Sequence, residues 1–291
     1  MLIIGSVALN RINPNRVPKD LDIICYRAEI PLLETLFNTV HRNDKSEFKT
    51  FLFTQDKRQI ELLIIDHLPG FQYLDNEIGS SLRYANATTL LDIKRSHIFR
   101  PRNFEKHIAD YHWLRNYLID SGFEPVFHTY LDKDQETING GKLRTPSLMK
   151  SKDDFFDDKV VKVFEHDDIH KVMAHKEQPM YTFMQKEGTD VFCSKSLWDK
   201  FSHEDKIMTV LEEAYVIALE RKVIPHIFLG EKHWTDEESF KWALMRICTT
   251  LCKGWFRQFA VDNYFEILNK HNLDYSNIFL SAYENGEIKE L

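Results

Sequence analysis

Gly5 and Ser6 close an apolar opening run, Met1-Leu2-Ile3-Ile4. A loop rich in Asn, Pro and Arg then leads into Lys19-Asp20-Leu21-Asp22-Ile23-Ile24. Side chains two apart on a strand point to the same face, so Asp20 and Asp22 present their carboxylates together. Magnesium takes hard oxygen ligands and is commonly bound through one or two carboxylates plus substrate phosphates. Gly5 lets the backbone turn close to a phosphate, where a Cβ would collide. Ser6 adds a hydroxyl and a backbone N–H for a phosphate oxygen. The chemistry these residues predict is the holding of a triphosphate with Mg²⁺ or Mn²⁺.

A third carboxylate has an obvious source. Gln59-Ile60-Glu61-Leu62-Leu63-Ile64-Ile65 is an apolar run whose only internal acid is Glu61, and Asp66, at its end, falls on the opposite face. Thr50-Phe51-Leu52-Phe53 precedes it, and Thr54 to Arg58 reads as the hairpin turn between two strands. Further on, Leu90-Leu91-Asp92-Ile93-Lys94 leads into His97. Phe104, Ile108, Tyr111, Leu114 and Leu118 then recur at helical spacing, on a segment that also carries Lys106 and Asp110.

This ordered set over roughly residues 1 to 120 resembles the DNA polymerase β-like nucleotidyltransferase superfamily, in particular its AbiEii-like and aminoglycoside-modifying branches. The Gly-Ser followed by Asp-x-Asp carries the resemblance, with Glu61 as the later acid and Lys94, Lys106 and Asp110 on the helices that follow. It implies a mixed sheet with helices and a Mg²⁺-dependent transfer of a nucleoside monophosphate from an NTP. Asp20, Asp22 and Glu61 would be the metal ligands and catalytic residues. Gly5, Ser6, Lys94 and Lys106 would bind the nucleotide. The acceptor is open among RNA (including a tRNA 3′ end), a protein hydroxyl and a small molecule. A nucleotidyltransferase-like module that binds nucleotide without turnover is the quieter alternative.

A second candidate site lies in Glu165-His166-Asp167-Asp168-Ile169-His170. On a helix His166 and His170 would face the same way, at a spacing that metals use, with Asp167 beside them. His97, His107, His175 and the Glu212-Glu213 pair are possible further ligands. This pattern supports an alternative function, a metal-dependent nucleotide phosphohydrolase, against the plainer reading of a helix start with acids in its first turn.

Around these sites the chain has 291 residues, 43% of them hydrophobic and 13% aromatic, which excludes a disordered polypeptide. Net charge is −7, so the chain lacks the basic footprint of a protein that coats nucleic acid. Locally, Arg11, Arg16, Lys94, Arg95, Arg100, Arg102 and Lys106 form either a triphosphate or RNA surface or an ordinary solvated face. Cys25, Cys193, Cys248 and Cys252 are scattered, and no apolar run approaches the ~20 residues of a membrane span. These features predict a cytoplasmic protein with reduced thiols and no membrane partner.

The predicted fold class is α+β: a nucleotidyltransferase-like mixed sheet with helices over 1–125, then a mainly helical domain over 153–291. The polar stretch 126–152, with Asn139-Gly140-Gly141, reads as a linker, a lid or a substrate loop. Ile30 to Phe37 reads as a helix with Pro31 in its first turn. Glu204 to Arg221 reads as a helix capped by Ser202, and Glu237 to Asn269 as one long or two shorter helices.

Overall fold

The computed structural model describes residues 1–72, 74, 81–125, 171, 195–224, 226, 230, 234–251, 254–272 and 274–288. The expected linker 126–152 and the His166, Asp167 and His170 cluster lie outside the described residues. The chain divides into two compact units, Met1–Leu143 and Arg144–Leu291. The fold class is α+β, as the sequence predicts.

The first unit is built on six strands: β1 (Leu2–Ile4), β2 (Leu21–Cys25), β3 (Thr39–Ser46), β4 (Lys49–Thr54), β5 (Gln59–Ile64) and β6 (Arg83–Tyr84). They form one mixed sheet in the order β3-β4-β5-β2-β1-β6. β1 runs antiparallel to β2 and parallel to β6, while β2 is parallel to β5 and β5 antiparallel to β4. Ile60, Leu62 and Ile64 of β5 are buried, and Gln59, Glu61 and Leu63 between them are not. Thr50 and Leu52 of β4 are buried in the same alternation. One face of the sheet is therefore dry core, where each buried Ile or Leu contributes roughly 1.5–3 kcal/mol. The other face is left for polar chemistry.

The helices of this unit start where local chemistry allows. α1 (Gly5–Asn10) follows β1 directly, through Gly5 at a φ of +66°. Nothing in the sequence before the Asn-, Pro- and Arg-rich loop announces this helical turn. α2 (Ile30–Leu36) carries Pro31 in its first turn, where the missing N–H costs nothing. A single turn, α3 (Pro69–Gln72), follows β5. α4 (Ala87–Ile98) is capped by the Asn86 side chain, which accepts from the Thr89 N–H. α5 (Phe104–Asp120) buries Phe104, Ile108, Tyr111, Leu114 and Leu118, the stripe seen in the sequence.

β3 was not foreseen. Its sequence, TVHRNDKS, has no apolar alternation, and most of its residues are exposed or half-exposed. It exists because β4 offers it a hydrogen-bonding edge, with register shifts between Thr39 and His41 and between Asp44 and Ser46. Charged side chains on such an edge discourage pairing with other chains.

In the second unit the described residues are helical. His203–Ala218 starts at Ser202, whose hydroxyl accepts from the Asp205 N–H in a capping box, and passes into a wider π-helical turn over Leu219–Val223. Asp236–Arg246 is capped by Thr235 in the same way. The stretch expected as one long or two shorter helices holds Asp236–Arg246, which passes into a π-helical turn at Ile247–Leu251, then Gly254–Asp262 and Tyr264–Lys270. Tyr275–Glu284 follows. Trp198 packs its ring 5.1 Å from Phe256 and 5.3 Å from Phe259.

Candidate nucleotide and metal site

Strand register brings the acids together. Asp22 stands opposite Glu61 across the parallel β2–β5 pair and opposite Ile4 across the β1–β2 pair. Gly5, one residue past Ile4, therefore sits against Asp22. A Cβ on Gly5 would fall 2.0 Å from Asp22 Oδ2, closer than any real contact. The glycine thus has two reasons to be there, its positive φ and the carboxylate beside it. Ser6 Oγ donates to Asp20 Oδ1 at 3.5 Å, the long limit of a hydrogen bond, and accepts from the Lys19 N–H at 3.4 Å.

These residues open on a cavity of about 330 Å³ whose lining includes Gly5, Ser6, Asp20, Asp22 and Glu61. The facing wall comes from α4 and α5 and the turn between them. Lys94, Arg100, Arg102 and Lys106 line it. One small space thus has an acidic wall and a basic wall.

The electrostatics follow from that crowding. Burial, then the nearby Asp20 and Glu61 charges, push the Asp22 carboxyl up from 3.8 to about 7, while Lys94 and Lys106 pull the other way. Burial and Arg102 lower the Arg100 guanidinium to about 10. His97 and His107 stack with ring centroids 5.0 Å apart. Burial and surrounding cations push His107 down to about 3 and His97 well below its ordinary value, so both rings are neutral at pH 7. His107 Nδ1 is buried with no hydrogen-bond partner among the described residues, a polar atom that a ligand in the cavity could satisfy.

Two side chains behave differently from expectation. Lys94 Nζ lies 2.7 Å from Asp110 Oδ2, with both side chains nearly buried, and Arg16 reaches the same oxygen at 3.1 Å. Burial draws the Lys94 pKa down and Asp110 opposes that shift. Lys94 therefore shares its charge with Asp110 and is only partly available to a phosphate. Glu61 Oε1 lies 2.5 Å from Lys49 Nζ. Sequence reasoning missed Lys49, because a lysine opening a strand resembles a solvated end. The signal was period two: once Thr50–Phe53 is paired with Gln59–Ile64, Lys49 falls on the face of Glu61.

Whether a metal fits is answered by the donor set. Among the described residues no three His, Cys, Asp or Glu side chains stand together as a metal cluster. Asp20, Asp22 and Glu61 do line one cavity, but Glu61 is held by Lys49. The set fits a hard divalent cation held by Asp20 and Asp22, with substrate oxygens completing its shell. The charge crowding that raises Asp22 is what such a cation would relieve.

Among the described residues no helix is long and apolar enough to cross a membrane. No curated protein and no solved structure matches the chain. One family does, a domain of unknown function (DUF7275), over residues 89–280. The match begins within α4 and takes in Lys94, Lys106 and Asp110, while Asp20, Asp22 and Glu61 precede it. With more than half of its length matched, the chain belongs to the DUF7275 family.

Proposed function

We propose that the first unit is a Mg²⁺- or Mn²⁺-dependent nucleotidyltransferase that moves a nucleoside monophosphate from an NTP to an acceptor hydroxyl. The observation that carries this reading is the single cavity with Asp20, Asp22 and Glu61 on one side and Arg100, Arg102 and Lys106 on the other. Each side suits one part of a metal–triphosphate. Asp20 and Asp22 would hold the cation, which when bound neutralises and polarises phosphate oxygens. Gly5 and Ser6 border the triphosphate, and Arg102 and Lys106 offset its charge. The acceptor oxygen bonds to the α-phosphorus, the bond from that phosphorus to the bridging oxygen breaks, and pyrophosphate leaves. Glu61 takes the hydroxyl proton. The acceptor is RNA (a tRNA end included), a protein hydroxyl or a small molecule. The setting is cytoplasmic, where free buried thiols such as Cys25 and Cys248 persist.

A second reading is favoured by the two ion pairs. Lys49–Glu61 and Lys94–Asp110 occupy side chains that a transferase would use, which suits a module that binds nucleotide without turnover. The phosphohydrolase alternative rests on His166 and His170, outside the described residues. Incubation with Mg²⁺ and each γ-³²P-labelled NTP, with cellular RNA and protein present, separates the three. The transferase releases label as pyrophosphate. A hydrolase releases orthophosphate, and a silent module releases neither.

A further inference from the structure

The sheet sets Glu61 and Asp22 side by side across β5 and β2, with Phe51 of β4 opposite Glu61 and Lys49 two residues from Phe51 on the same face. Lys49 stands opposite Leu63, so Glu61 is its diagonal neighbour on the same face, within reach of a long side chain. The ammonium is 2.5 Å from Glu61 Oε1, and both residues line the cavity. Asp20 and Asp22, by contrast, form no ion pair among the described residues. The acids are thus divided into a cation-free pair and a third acid that already has its cation.

We propose that this site takes a single divalent cation, at Asp20 and Asp22, and that the Lys49 ammonium stands on Glu61 in place of a second one. The inference rests on the reading of the cavity as a Mg²⁺–nucleotide site. Charge supports it: three carboxylates carry −3, and one divalent cation with one ammonium supplies +3. A second divalent ion at Glu61 would have to displace an ammonium already in a charge-assisted hydrogen bond to the same oxygen. Lys49 is then a positioning residue, which holds Glu61 in place and supplies the positive charge there without a metal.

The test uses the full chain with Mn²⁺ and inorganic tripolyphosphate, read by low-temperature electron paramagnetic resonance of the protein-bound metal. Wild type is expected to show isolated Mn²⁺ only, at every Mn²⁺ concentration. Lys49→Met and Lys49→Gln are expected to gain a second ion, seen as a spin-coupled pair, and Lys49→Arg to return the isolated signal. A coupled pair in wild type overturns the inference. So does an isolated signal in both folded Lys49→Met and Lys49→Gln. If no Mn²⁺ binds wild type, or binding is unchanged in Asp22→Asn, the underlying site reading fails and the inference falls with it.

Discussion

Asp22 is where the site's chemistry and the fold's stability meet. In the unfolded chain its carboxyl titrates near 3.8, and in the fold it holds its proton to about 7. Between those values the folded state binds the extra proton. Wild-type stability therefore falls as pH rises from about 4 toward 7, and the cost is fully present above 7. Asp22→Asn removes the charge. Urea denaturation in EDTA should find the variant more stable than wild type at pH 8, by at most roughly 4 kcal/mol. The difference should shrink toward pH 4, and an unchanged difference would contradict the assignment. Cation binding has the opposite sign, because the ligand must lose its proton. Mn²⁺ affinity should rise with pH up to about 7 and level off above it, as calorimetry can follow. Gly5→Ala meets both a positive φ and the Asp22 carboxylate. It should cost about 1–3 kcal/mol in thermal or urea unfolding and weaken Mn²⁺ binding.

At the scale of elements, Asp110 on α5 ties Lys94 of α4 and Arg16 of the loop before β2 to one oxygen. It fixes the basic wall against the loop that leads to Asp20. Asp110→Ala leaves the Lys94 ammonium buried and uncompensated, so it should destabilise the protein by about 3–5 kcal/mol. Lys94→Met/Asp110→Leu together should recover much of that loss, and a double variant no better than Asp110→Ala would contradict the pairing. The strands that carry Asp22 and Glu61 were legible because short apolar runs interrupted by an acid have few other uses; Asp20, expected on the same strand as Asp22, lies one residue before β2 begins. α4 was expected only from the resemblance, and α5 was legible from its periodicity. β3 was not, since its stability comes from the neighbouring edge of β4 and not from its own side chains. The Lys49–Glu61 and Lys94–Asp110 pairs were equally hidden, because sequence gives the residues on a face but not which charges satisfy each other. The passage into a π-helical turn at Ile247–Leu251 has no proline or glycine within it to announce it.

Across the whole molecule, the family match and the candidate site overlap only in part. Residues 89–280 take in most of α4 and all of α5 and reach through most of the second unit, while the acids come earlier. Most of the matched stretch thus falls in the second unit, and Asp20, Asp22 and Glu61 lie before it. Net charge bears on the acceptor. At −7 the molecule as a whole repels a polyanion, so duplex DNA should show no binding by gel shift near 0.15 M salt. Any RNA acceptor must be recognised locally, at a patch such as Arg100, Arg102 and Lys106. The most direct test of the central claim supplies Mg²⁺ and each α-³²P-labelled NTP with total cellular RNA, protein and small-molecule extract as acceptors. The account predicts label transferred to an acceptor by wild type, and a loss on the order of 10²–10³ or more in Asp20→Ala/Asp22→Ala. Transfer that survives in the folded double variant, or no transfer from any NTP to any acceptor class, would contradict it.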